Sequence, residues 1–502
     1  MRKPFVVSAF LAGLCVPVSA QSLSLDKFGG AVPGTTTLTL QGSPGSVYAV
    51  IFAFSEQPTS LLGMNLDIPI DWIDFTGILP GFVGSIGAGG TASVALSLPA
   101  GIPGLDDAVI SFQAVAAPAP FLVSNLSRIT PAAPGSFEPA LQDPPVPILG
   151  GGTAPASDGR VLFVGGSGPV AQRYNSRIEE WEAAGVTFGV GLFSQTTGLA
   201  DGRVLFTGGL DATGQPTTAA ALYDPATGQT TTLAMNAPRA GHGASRLGTG
   251  KVLITGGFST FDITNLLSLF TGIQGSTEVF DPATGAFAPG PTLLEARAFH
   301  TSTTLQSGEA LIAGGLTLLP IVNIPLVSNT AYRYNPATNS FGFPAFFTGS
   351  RFLHSAVGLP NGKVLLAGGI TLDLTQFIAT GDPTTIVVGT RDDGQLYTPS
   401  FLGFGTFANV SLLSEGRAGA AMAVLPDGGA VIAGGFQLTI DISTGTFVAN
   451  ATASADRFVL PGSFVPTGSM AAPRLFPLAA PLPDGTAMVV GGGPLNAEIY
   501  QP

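Results

Sequence analysis

Val252-Leu253-Ile254-Thr255-Gly256-Gly257 is a short β-branched and aliphatic run that ends in two glycines, the pattern of a strand followed by a sharp change of direction. The same kind of run recurs at Val161 to Gly166, Val204 to Gly209, Ala310 to Gly315, Val364 to Gly369, Ala430 to Gly435 and Ala487 to Gly492. Seven copies, about 54 residues apart on average, mark an internal repeat.

Working outward from the run, a tight-turn signal precedes each copy: Asp158-Gly159, Asp201-Gly202, Gly250, Gly308, Asn361-Gly362, Asp427-Gly428 and Asp484-Gly485. Such pairs favour the left-handed conformations of a two-residue hairpin, so a strand a comes before the turn and pairs with the run, strand b. Downstream, a third strand ends in an aromatic residue and a turn, as in Tyr223-Asp224-Pro225-Ala226-Thr227-Gly228, Phe280-Asp281-Pro282-Ala283-Thr284-Gly285 and Tyr334-Asn335-Pro336-Ala337-Thr338-Asn339. Proline presets φ there and Gly or Asn takes the left-handed corner, which returns the chain as strand d. A second ring follows seven residues after the first in Tyr174 to Trp181, Phe280 to Phe287, Tyr334 to Phe341 and Tyr397 to Phe404. Four antiparallel strands per repeat make a propeller blade, and seven repeats predict an all-β, seven-bladed β-propeller.

Gly-Gly, the Tyr-Asp-Pro turn and the bulky ring together resemble the repeat signature of the kelch family, over residues 135–502. The likeness extends to secreted bacterial kelch-repeat proteins and to the central domain of the galactose oxidase group. Departures are Trp at the ring position only at Trp181, Phe458-Val459-Leu460-Pro461-Gly462 in the sixth repeat, and loss of the first Arg before Gly202. The chain stops just after Tyr500, which leaves the last blade without a fourth strand. Pro134-Gly135-Ser136-Phe137-Glu138-Pro139 echoes Pro461-Gly462-Ser463-Phe464-Val465-Pro466, a turn and strand d. A segment near 135–141 is therefore expected to close the propeller, taken as 134–502, and to seal two strand edges.

Residues 21–130 lack the repeat and alternate in runs such as Thr36 to Leu40, Val47 to Phe54 and Ala92 to Leu98, which predicts a small β-sandwich before the propeller. The first twenty residues read as a secretory signal: Arg2 and Lys3, an apolar stretch from Phe5 to Val16, and Val18-Ser19-Ala20 before Gln21. Cleavage after Ala20 and a secreted or cell-envelope destination follow. Cys15, the only cysteine, would leave with the signal, so the mature chain is expected to hold no disulfide and no thiolate site. No later segment has the length of a transmembrane helix, so no stable membrane insertion is expected.

Charge narrows the partners. The net charge of −12 becomes about −14 once Arg2 and Lys3 are removed, and the chain has no basic stripe, which argues against nucleic acid. All three histidines fall in one frame, Arg239 with His242, Arg297 with His300 and Arg351 with His354, and two further repeats keep the arginine as Arg417 and Arg474. Such residues suit either a ligand site at the central channel or, as the kelch resemblance implies, hydrogen bonding of backbone groups between blades. Arg391, Asp392 and Asp393 form the acidic cluster that turns explain least, a candidate ligand or cation site. The galactose oxidase group uses copper held by Tyr, His and a Cys crosslinked to Tyr. A mature chain without cysteine is expected to carry neither metal nor other cofactor.

The resulting expectation is a binding module for an extracellular glycan or protein, with a carbohydrate-active oxidase or sugar isomerase on the same face as the alternative. Strands alternate in direction, so the b to c connections share a face opposite the Asp-Gly and Asp-Pro turns. The long insertions Phe258 to Ser276, Leu316 to Thr330, Ile370 to Gly394 and Phe436 to Ala453 mark that face as the binding surface. Leu266, Leu267, Leu269 and Phe270, with Leu318, Leu319, Ile321, Val322 and Ile324, either pack on the rest of the chain or form a protein-docking patch.

Overall fold

The computed structural model describes residues 22–502 except 62–63, 69–71, 74–80, 101, 103–104, 106–107, 118–120, 149–150, 157–158, 166–170, 185–190, 262–270, 319–324, 374, 383–384, 386, 401–404, 442–445 and 495. The signal segment, Leu266 to Phe270, Leu319 and Ile321 to Ile324 thus lie outside the described residues. Among the described residues the regular structure is β apart from one short helix, Thr375–Thr380.

Strand b is buried at every residue in all seven copies, Val161–Val164, Val204–Thr207, Val252–Thr255, Ala310–Ala313, Val364–Ala367, Ala430–Ala433 and Ala487–Val490. Burial on both faces is why these runs are continuously apolar rather than alternating. Each b strand is flanked by an a and a c strand in an antiparallel sheet whose fourth member is strand d. In the third sheet these are Gly243–Arg246, Val252–Thr255, Thr277–Asp281 and Ala286–Pro289.

Alternate residues of strand b face opposite neighbours. Leu253 packs with Ala310 and Ile312 of the fourth sheet, whereas Val252 and Ile254 pack with Leu205 of the second. The same sharing joins every adjacent pair, and Met488 and Val490 of the last sheet pack with Val161 and Phe163 of the first. Seven inter-sheet cores therefore run in a closed cycle, with strands a touching one another on its inside.

Strand c meets strand d through the expected rings: Tyr174 opposes Trp181, Phe280 opposes Phe287 and Tyr334 opposes Phe341. In the fifth sheet Tyr397 pairs with Phe407, with ring centres 5.0 Å apart, while the expected Phe404 lies outside the described residues. The ladder there runs one pair further, to Pro399 opposite Gly405, so the opposing ring comes later in the chain. The last sheet takes its outer strand from Phe137–Pro139, where Phe137 pairs with Tyr500.

Residues before 130 form a three-stranded and a six-stranded sheet that share one apolar core, including Leu38, Leu40, Val50 and Phe112. Their described contacts with the cycle lie on the turn side. Lys27, buried, bonds Glu179 at 2.6 Å in the first sheet's c to d turn and lies 3.5 Å from Asp484 in the last sheet's a to b turn. Burial alone would lower its pKa, but Glu179 and Asp484 outweigh that and raise it. One lysine thus joins the first and last sheets across the seam.

The insertions stand on the opposite side. Three of them form hairpins, Leu316–Leu318 with Pro325–Val327, Ile370–Asp373 with Val387–Thr390, and Phe436–Asp441 with Thr446–Ala451. These pack side by side rather than on the N-terminal sheets.

Candidate functional site

Arg239, Arg297, Arg351, Arg417 and Arg474 are fully buried. Each donates from Nη1 to the carbonyl of the first glycine in its own sheet: Gly256, Gly314, Gly368, Gly434 and Gly491, at 2.7, 2.9, 3.0, 3.4 and 3.2 Å. Nη2 donates to a carboxylate, in order Glu278, Glu295, Asp393, Asp456 and Glu498. The arginine's own carbonyl accepts the N–H of the second glycine of the preceding sheet, as Gly257 gives to Arg297 at 2.8 Å. Each arginine therefore ties two neighbouring sheets through their glycine pairs.

The glycines follow from the same contacts. Gly256 and Gly257 have φ of +57° and +94°. A Cβ on Gly256 would fall 2.2 Å from the Arg297 carbonyl oxygen, and one on Gly257 2.8 Å from His242 Cβ. Burial lowers the pKa of Arg239, Arg297, Arg351 and Arg417, against the pull of their acidic neighbours, and takes Arg351 to about 10. All four stay charged at neutral pH, held by partners that a buried cation requires.

Arg391 and Asp393 belong to this frame. Asp393 accepts from Arg391 Nε at 2.7 Å as well as from Arg351, while Asp392 is exposed beside them. The structure does not bring this cluster to the central cavity.

The histidines do reach it. His242, His300 and His354 line one cavity of about 330 Å³ at the centre of the cycle. Each Nε2 is hydrogen-bonded to a threonine of the preceding sheet, Thr207, Thr255 and Thr301, at 2.8, 2.8 and 2.9 Å. Burial, then the positive arginine nearby, pushes all three pKa values down, that of His242 to about 3, so the imidazoles are neutral at pH 7. Their Nδ1 atoms and the hydroxyl of buried Ser194, another lining residue, have no hydrogen-bond partner among the described residues.

One step along the repeat from the arginines lies a feature that reading the sequence missed. The residue two after each arginine, or after the position that replaces it, is left-handed: Phe193, Gly241, Phe299, Leu353, Gly419 and Phe476 have φ between +51° and +63°. Their main chains are linked in sequence. Gly241 donates to Phe193, Phe299 to Gly241, Leu353 to Phe299 and Gly419 to Leu353, at 2.8 to 3.1 Å. Left-handed geometry costs a non-glycine residue about 1–2 kcal/mol, yet four of the six positions are large and apolar.

The two glycines make room for them. A Cβ on Gly241 would lie 2.9 Å from the Phe299 ring and one on Gly419 2.6 Å from the Phe476 ring. The Phe193 ring centre is 4.8 Å from that of Phe299 and 5.9 Å from that of Phe476. This apolar collar lines the cavity together with Ser194, Gln195, Thr301 and Ser302. The signal was present as Phe299 before His300 and Phe476 after Arg474, but the φ that turns these rings inward is not written in residue type.

Among the described residues, those lining the cavity include no Asp, Glu, Lys, Arg, Tyr or Cys. No group of three or more His, Cys, Asp or Glu residues that could hold a metal ion occurs among them either. With every Nε2 given to threonine and no tyrosine or cysteine at hand, these residues do not fit the copper centre of galactose oxidases.

No family model and no curated protein matches the chain. Among solved structures, one described as YjhT is similar at 16% identity over 66% of this chain and 100% of that one, with a TM-score of 0.48. A fungal alcohol oxidase of the AA5 family, in complex with copper, is similar at 15% identity over 62% of this chain and 74% of its own, with a TM-score of 0.38. At these scores the likenesses add nothing to the geometry above.

Proposed function

We propose that the chain is a secreted, seven-bladed kelch-type β-propeller with an N-terminal β-sandwich, and that it works as a binding module for a glycan seated in its central cavity. The closed cycle of inter-sheet cores and the outer strand at Phe137 support the propeller reading; the signal-like first twenty residues support export. The observation that carries the function is the lining of the cavity. It joins aromatic faces to neutral hydrogen-bonding groups, and among the described lining residues there is no carboxylate for acid/base cleavage of a glycosidic bond. A glycan presents apolar ring faces edged by hydroxyls, the chemistry that such a lining meets.

A sugar isomerase is the second reading, and the three neutral imidazoles favour it because they are an acid/base set in one cavity. Their Nε2 atoms are already engaged, which weighs toward binding. The test is a glycan array with the purified mature protein, followed by NMR of any captured sugar. Capture with unchanged ligand resonances supports the binding module. Interconversion of the sugar that stops in a His300→Gln variant supports the isomerase, and no capture at all rejects both.

A further inference from the structure

We infer that the left-handed collar is the specificity element of the central cavity, and that it seats an uncharged, ring-shaped ligand on the faces of Phe193, Phe299 and Phe476. This rests on the reading of the cavity as a glycan site. The chain uses glycine at two of the six equivalent positions, Gly241 and Gly419, where the left-handed backbone is relaxed. Keeping phenylalanine at three others holds strain in the backbone and leaves each ring half-buried at the cavity wall. Strain retained at a cavity, where a relaxed residue is available in the same repeat, points to a task for the side chain.

The ligand's class follows from what surrounds those rings. No charged side chain is among the described lining residues, and the three imidazoles are neutral at pH 7, so nothing there offsets the desolvation of a carboxylate or phosphate. Serine, threonine and glutamine supply donors and acceptors for hydroxyl groups. The volume, about 330 Å³, is at the small end of small-molecule sites. A single sugar ring or the terminal ring of a glycan fits this description better than an extended chain.

The test uses the mature protein and a fixed panel by calorimetry: the methyl glycosides of glucose, galactose and mannose, with glucuronic acid and glucose 6-phosphate as charged counterparts. Binding is expected for at least one neutral glycoside, at the same affinity from pH 5.5 to 8, and to be about tenfold or more weaker for the charged sugars. Phe299→Gly places in the collar the residue that positions 241 and 419 already have, so the fold is retained, and affinity should fall about tenfold. Neutral binding that is unaffected by Phe299→Gly and by Phe476→Gly overturns the collar's role and leaves the glycan reading standing. Preference for the charged sugars overturns the ligand class. An absence of binding across the panel and on a glycan array removes the underlying reading as well.

Discussion

Arg297 and Phe299 are two residues apart, recur in the same repeat, and meet opposite fates. The arginine is sealed between sheets with its guanidinium bonded to Gly314, Thr330 and Glu295. The phenylalanine is left-handed and half exposed at a cavity. The arginine, kept in five repeats, satisfies what its sheet junction demands, namely the carbonyl of the first glycine of its sheet. Positions that vary from repeat to repeat, Phe, Gly or Leu, are free of that demand and shape the one place where all sheets converge. The difference separates frame from site.

Acid is the strongest way to break the frame. The histidines are held neutral with pKa values below the ordinary 6.5, so the unfolded chain binds protons that the folded chain excludes. Their contribution is complete above about pH 6.5 and is lost as pH falls toward their folded values. The expected loss is about 1.4 kcal/mol per pH unit for each imidazole, read as a falling denaturant midpoint between pH 6.5 and 4.5. His300→Gln should shallow that slope by about one proton; an unchanged slope would place the acid sensitivity elsewhere.

Arg417→Met comes next. It leaves Asp456 buried without its cation and the Gly434 carbonyl without its arginine donor, while the Ser454 carbonyl keeps only the Gly434 N–H. A loss of about 3–5 kcal/mol is expected, measured by chemical denaturation. If the variant is as stable as the parent, the arginine frame is not what joins the sheets.

The seam should respond less because it lies at one junction. Lys27→Met leaves Glu179 and Asp484 buried near each other, for an expected loss of about 3 kcal/mol. Because its pKa is raised, the stability that Lys27 contributes is present through neutral pH and is lost only as pH climbs above about 10.5. The parent should therefore weaken in strong alkali, and the variant should not share that loss.

How far the sequence reveals these regions depends on what each is made of. Strand b is legible in Val252 to Thr255 because burial on both faces forces a continuous apolar run, and the Asp-Gly and Asp-Pro turns are legible because their φ values select residue types. Phe407 was missed because hairpin register, not composition, sets which ring opposes Tyr397. The role of Arg351 was open until Asp393 was seen beside it. The collar was hidden for a deeper reason: phenylalanine carries no mark of the left-handed conformation, and only closure of the cycle brings residues 193, 299 and 476 together.

The smallest stability effect belongs to the collar, and it separates frame from site most sharply. Phe299→Gly removes a ring that contacts Phe193 and Phe258, with centres 4.8 and 5.0 Å away. Losing a half-buried phenylalanine costs up to about 1.5–3 kcal/mol, and the added backbone freedom of glycine costs about 0.5–1 more. Against this, relief of the left-handed strain returns about 1–2 kcal/mol. The terms offset only in part and leave a net loss of about 1–2 kcal/mol, so the melting temperature should move by only a few degrees, less than for Arg417→Met. Phe299→Ala keeps the strain while losing the ring, and should be the less stable of the two substitutions, by about 1 kcal/mol. Thermal melts of the parent and both variants decide the point. Equal stability of the Ala and Gly forms would mean that the backbone at 299 bears no strain worth relieving, and the contrast between the two positions would then rest on burial alone.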